Sequence, residues 1–116
     1  MAFSFRKLLN EGTKEKQIRD YKLRLDLCES CLSYMRNGGN KTNKGLYDAL
    51  SHLAEIPELK INLVEYDDYE FTDKGFDFDP DFYILVRDKR NDALLLIQNL
   101  IVEQAKEVGL WILTSS

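Results

Sequence analysis

The sequence predicts an α/β domain of order α-α-β-β-α-β, a small three-stranded mixed sheet with a C-terminal βαβ unit packed by helices. Three observations carry that expectation. Apolar residues recur at helical spacing through 18–35, apolar and polar residues alternate through 59–63, and FYILVR (82–87) is apolar on both faces of a would-be strand.

The first helix is expected from Lys14, with Thr13 as its cap. Ile18, Tyr21, Leu25, Cys28, Leu32 and Met35 follow at spacings of three and four, and Leu23, Leu27, Cys31 and Tyr34 widen the buried face. Asn37-Gly38-Gly39-Asn40 stops it, because glycine takes the left-handed conformation of a helix C-terminus without steric cost. After the polar residues 40–43, a shorter helix is expected from about Lys44 to Glu55, with Leu46, Ala49, Leu50 and Leu53 inward and Asn43 as cap. Pro57 ends it by pushing the preceding residue out of the helical region.

In LKINLVEY, Leu59, Ile61 and Leu63 alternate with Lys60 and Asn62, which predicts a half-buried strand. FYILVR predicts a central strand covered on both sides. A helix is expected over 91–108, closed by Gly109, and LWIL (110–113) as a last strand. Strand, helix and strand in that order predict a parallel pair joined by a right-handed crossover.

At 116 residues the chain is expected to be a single compact domain, residues 1–116, burying roughly two-thirds of its unfolded surface. No apolar run approaches the roughly 20 residues needed to cross a bilayer. The start, MAFSFRKLLNEG, lacks the sustained apolar stretch and small-residue cleavage site of a signal peptide. Two cysteines make no disulfide framework, so a cytoplasmic, reducing location is expected.

Charge is distributed unevenly. Residues 1–45 hold ten basic and five acidic side chains, whereas 65–83 hold eight acids against Lys74, among seven aromatic rings. The acidic pole repels nucleic-acid phosphate and attracts a cationic protein surface. Two readings of 65–83 stand side by side: a polar loop whose rings cover one end of the sheet, or a contact surface in which rings supply rigid area and carboxylates steer a basic partner.

Catalytic constellations are thin. Cys28 and Cys31 form a C-x-x-C, but mid-helix on the apolar side, which reads as structural thiols rather than a redox pair. His52 is the only histidine and has no nucleophile motif to serve. Asp77, Asp79 and Asp81 have a spacing that suits a divalent cation, but Phe82 stands where a calcium loop needs its glycine. No Walker loop, dinucleotide fingerprint or serine elbow is present, and no cofactor is expected. The basic set Arg6, Lys7, Lys14, Lys16, Arg19, Lys22 and Arg24 reads as the solvated face of the first helix.

GLYDALSHLAEIPELKINLV (45–64) resembles barstar-like ribonuclease inhibitors, with a leucine-aromatic-aspartate helix, a proline and an apolar strand. VEQAKEVGLWILTSS is similar to the family's C-terminal helix and last strand. The resemblance implies an inhibitor whose helix and adjacent loop plug a cationic nuclease site, with Tyr47 and Asp48 in contact. A rival resemblance is to the C-terminal part of rhabdovirus matrix proteins, carried by YDD (66–68), LIVE (100–103) and Gly109-x-Trp111.

The leading expectation is a non-catalytic, acidic binding protein that inhibits a partner with a basic surface (a toxin, nuclease or defence effector), an immunity or antitoxin-type protein. Its contact is expected to comprise Tyr47, Asp48, Glu65, Tyr66, Asp67, Asp68, Tyr69, Glu70, Asp73, Asp77, Asp79 and Asp81. The alternatives are a phage-encoded anti-defence protein mimicking nucleic-acid charge, a metal-dependent hydrolase using the aspartates of 77–81, and a viral or structural assembly protein.

Overall fold

The computed structural model describes the backbone of residues 5–115 and the side chains of residues 14–109. Four α-helices carry the fold: α1 (Phe5–Arg36), α2 (Asn43–Ala54), α3 (Asp67–Phe71) and α4 (Pro80–Ser115). Short 3-10 turns at Pro57–Leu59, Leu63–Tyr66 and Asp73–Phe76 complete it. No strand occurs among the described residues, so the α/β expectation is corrected: the molecule is helical.

Each of the three expected strands has a specific replacement. FYILVR and LWIL both lie inside α4, which runs unbroken through the helix expected at 91–108 and through Gly109. Phe82, Val86, Ala93 and Ile97 are buried at spacings of four and seven, while Ile84 is 44% exposed. That is a helical register rather than an alternating one. Between Pro80 and Gly109 there is neither glycine nor proline to stop the helix. The third stretch, from Leu59, folds into 3-10 turns separated by Lys60, which takes a left-handed φ of 52°. Leu59 is buried, and Ile61 and Leu63 pack partly against the helical core. Their alternation reflects a chain laid across helices, with no neighbouring strand to pair with.

α1 begins at Phe5 rather than at Lys14, so Thr13 lies within it. Its core seam holds as expected: Ile18, Tyr21, Leu25, Cys28, Leu32 and Met35 are all buried. Of the widening residues only Cys31 packs partly against the core, since Leu23, Leu27 and Tyr34 are exposed. The helix ends on Gly38, at φ 98°, where the Gly39 N–H donates to the Tyr34 carbonyl in 2.8 Å.

α2 is capped by Thr42, whose Oγ1 accepts from the Gly45 N–H at 3.0 Å; Asn43, expected as the cap, has another task described below. Leu46, Ala49, Leu50 and Leu53 are fully buried, each leucine contributing about 1.5–3 kcal/mol relative to exposure.

Lys14 pairs with Glu107, and Arg90 with Glu29 at 3.5 Å, so α1 and α4 run antiparallel. α2 packs on the C-terminal half of α1 and the N-terminal part of α4, leaving the rest of the hairpin as a two-helix arm. The molecule measures 64 × 27 × 17 Å with a radius of gyration of 18.4 Å, well above the about 13 Å of a compact chain of similar length.

Candidate functional site

Residues 65–83 form a cap over α2 and the start of α4, fastened by Asn43. This buried side chain donates from Nδ2 to the Lys74 carbonyl (2.7 Å) and accepts at Oδ1 from the Asp79 N–H (2.8 Å). Its own N–H donates to the Asp77 carbonyl at 2.6 Å. One residue of α2 therefore satisfies three backbone groups of the acidic segment, which a loop without regular structure needs from somewhere.

A second fastening is aromatic. Tyr69 stacks on Phe82 with centroids 4.5 Å apart, and Tyr66 lies 5.2 Å from the same ring. The Tyr69 hydroxyl donates to Asp79 Oδ2 (3.3 Å), while Asp79 Oδ1 accepts from the Asp81 N–H (2.9 Å) as the cap of α4, with Pro80 as its first residue. Gly75 is buried where an added Cβ would come within 2.5 Å of the Tyr69 carbonyl oxygen.

The expected contact residues are thus divided. Tyr47 is buried beneath the cap, where burial raises its phenol pKa above 10.0, reinforced by the nearby Glu70 carboxylate. Tyr66 and Tyr69 turn inward, and burial raises both of their pKa values as well. Asp79 is committed to structure on both oxygens. Glu65, Asp67, Asp68, Asp73, Asp77 and Asp81 face solvent, and Glu70 is half-buried. Asp48 is exposed but borders a different place, a groove of about 440 Å³ between α1 and α2 lined by Cys31, Tyr34 and Lys44. Tyr47 and Asp48 therefore do not share one surface.

The charge count misses the behaviour of the phenylalanines. Phe71 and Phe76 are each 77% exposed and Phe78 is 38% exposed, among the solvent-facing acids. The cap turns Tyr66 and Tyr69 in against the buried Phe82, and Phe71, Phe76 and Phe78 out. Nothing in the order of residues distinguishes the two kinds of ring; only the positions of Asn43, Asp79 and Phe82 decide it.

The metal and redox possibilities gain no geometry. Among the described residues no three histidine, cysteine or acidic side chains are grouped to hold a metal ion. Burial pushes the Cys28 thiol up to about 12, and raises Cys31 with a further contribution from Asp48, so neither is an activated thiolate at neutral pH. On the basic face, Lys16, Arg19 and Lys22 are exposed, whereas Arg24 meets Glu55 at 2.5 Å. Arg6 and Lys7 lie outside the described side chains. Among the described residues no helix is long and apolar enough to cross a membrane.

Comparison of the chain with protein-family models, with curated proteins and with solved structures finds no match.

Proposed function

We propose that this is a non-catalytic binding protein that holds a basic-surfaced partner against the cap at 65–81 and inhibits it, in the manner of an immunity or antitoxin protein. The observation that carries the reading is the outward placement of Phe71, Phe76 and Phe78 among Asp67, Asp68, Asp73 and Asp77. Leaving a phenylalanine in water forgoes about 1.5–3 kcal/mol of burial, and a cap fastened this firmly had inward positions that tyrosines took instead. Rings of this kind serve as anchors in an interface, while the surrounding carboxylates raise the encounter rate with a cation-bearing partner by about 10- to 1000-fold.

The test is capture from lysate of the native host on immobilised wild-type protein and on a variant carrying F71S, F76S, D67N, D68N and D77N. The reading expects a basic protein that is held by the wild type alone, released by raised salt, and inhibited in its own activity when bound. Identical capture by both forms would overturn it.

A further inference from the structure

Along the outer part of α4, one face carries no charge at all. Asn91, Leu94, Leu95, Gln98, Ile101, Val102, Ala105 and Val108 recur at spacings of three, one and three, so at about 100° per residue they occupy one continuous sector. The sector lies beside the seam to α1 and away from α2, and it is open. Leu95 and Val102 are 58% and 50% exposed, and Leu94, Ile101 and Val108 about 40% each. The charged residues of this stretch, Asp92, Glu103, Lys106 and Glu107, all fall on other faces, with Glu107 engaged by Lys14.

Seven of the eight positions are symmetric about Gln98, and the outermost, Val108, mirrors onto Asp88. Three positions either side are Leu95 and Ile101, four either side are Leu94 and Val102, and seven either side are Asn91 and Ala105. A helix laid antiparallel on an identical helix, with the two-fold axis at Gln98, therefore sets aliphatic against aliphatic at every inner position. An isologous two-fold contact requires this self-complementarity, and an unrelated partner does not. Charge permits the same arrangement. Residues 84–116 carry equal numbers of acidic and basic side chains, and the axis sends the two acidic caps to opposite ends. The starts of the two α4 helices then stand about 54 Å apart, far beyond the ~8 Å screening length of physiological salt.

We propose that this face of α4 is a homodimer interface, occupied by a second copy of the chain packed antiparallel about Gln98. In the register fixed by the Lys14–Glu107 and Glu29–Arg90 pairs, the exposed Glu15, Arg19, Lys22 and Asp26 of α1 border it as a mixed-charge rim around an aliphatic centre. Eight positions on one helix and a four-residue rim fall short of the roughly 20–30 residues a side of a standard interface. The dimer is accordingly a weak one.

Sedimentation equilibrium from 1 to 500 μM reads it directly, and a mass rising from 13.5 kDa towards twice that value is expected. Leu95→Glu with Val102→Glu should raise the dissociation constant at least tenfold while leaving helicity unchanged, since both side chains are already in solvent. Register is tested separately on a Cys31→Ser background. Oxidation should link Gln98→Cys to itself, and link Asn91→Cys to Ala105→Cys in a mixture but not to itself. A monomer throughout the range, a dimer indifferent to both glutamates, or self-linking at position 91 would overturn the proposal.

Discussion

Tyr69 and Asp79 are joined by a hydrogen bond of 3.3 Å, and the same carboxylate caps α4 through the Asp81 N–H. One side chain thus couples the start of a 36-residue helix to the fold of the segment before it. Replacing Asp79 by alanine should cost about 2 kcal/mol, from a lost cap and a lost phenol acceptor, and asparagine should recover roughly half. At about 4 °C per kcal/mol, the alanine variant should melt near 8 °C lower in a thermal scan.

Asn43 predicts a different failure. Asn43→Ala leaves the Lys74 carbonyl and the Asp79 N–H without their partner in a poorly solvated place, at a cost of about 2–4 kcal/mol. The cap should open before the helices separate. Hydrogen exchange should therefore show protection lost over 67–79 while Leu32 and Leu50 amides keep theirs, and global loss would contradict the local role.

The two sorts of phenylalanine should separate stability from binding. Phe82→Ala removes the ring beneath Tyr66 and Tyr69 and should destabilise by about 3–5 kcal/mol. Phe71→Ser and Phe76→Ser should change stability by no more than about 0.5 kcal/mol, measured by urea unfolding, while weakening capture of the basic partner.

Alkaline pH should unfold the protein cooperatively. Burial raises the phenol pKa of Tyr21, Tyr47, Tyr66 and Tyr69 above 10.0, and that of the Cys28 thiol from 9.0 to about 12. In each case the native state holds its proton more tightly than the unfolded chain. This stability is complete below the unfolded pKa values and is lost as pH rises through the folded ones. Urea unfolding should give a constant contribution from these groups up to about pH 8 and a progressive fall towards pH 12. A midpoint that does not move over that range would contradict the burial of these groups.

Much of the helical core was legible. The α1 seam from Ile18 to Met35 and the inward face of α2 are strong three-and-four patterns bounded by glycine and proline, and both stand. The sheet was misread for a definite reason. Five apolar residues in a row at 82–86 satisfy strand and helix templates alike, and what separates them is the absence of any breaker as far as Gly109. Leu59, Ile61 and Leu63 alternate, yet alternation predicts a strand only where another strand is available to pair with it. For the site, the clustering of acids was visible in their number. The inward tyrosines were not, because they depend on an asparagine more than twenty residues away in α2.

The pairing of Lys14 with Glu107 joins residues 93 positions apart, whereas α2 reaches the other half of α1 across a short loop. The two halves of α1 therefore complete their packing at different moments of synthesis. The half from Tyr21 to Met35 gains its first neighbour, α2, as soon as about fifty residues have emerged. The half around Lys14 waits for Glu107, far along α4, to leave the ribosome. A chain halted before residue 107 would carry a closed pair of α1 and α2 with a bare helical stem, and the finished hairpin marks a chain translated past Glu107.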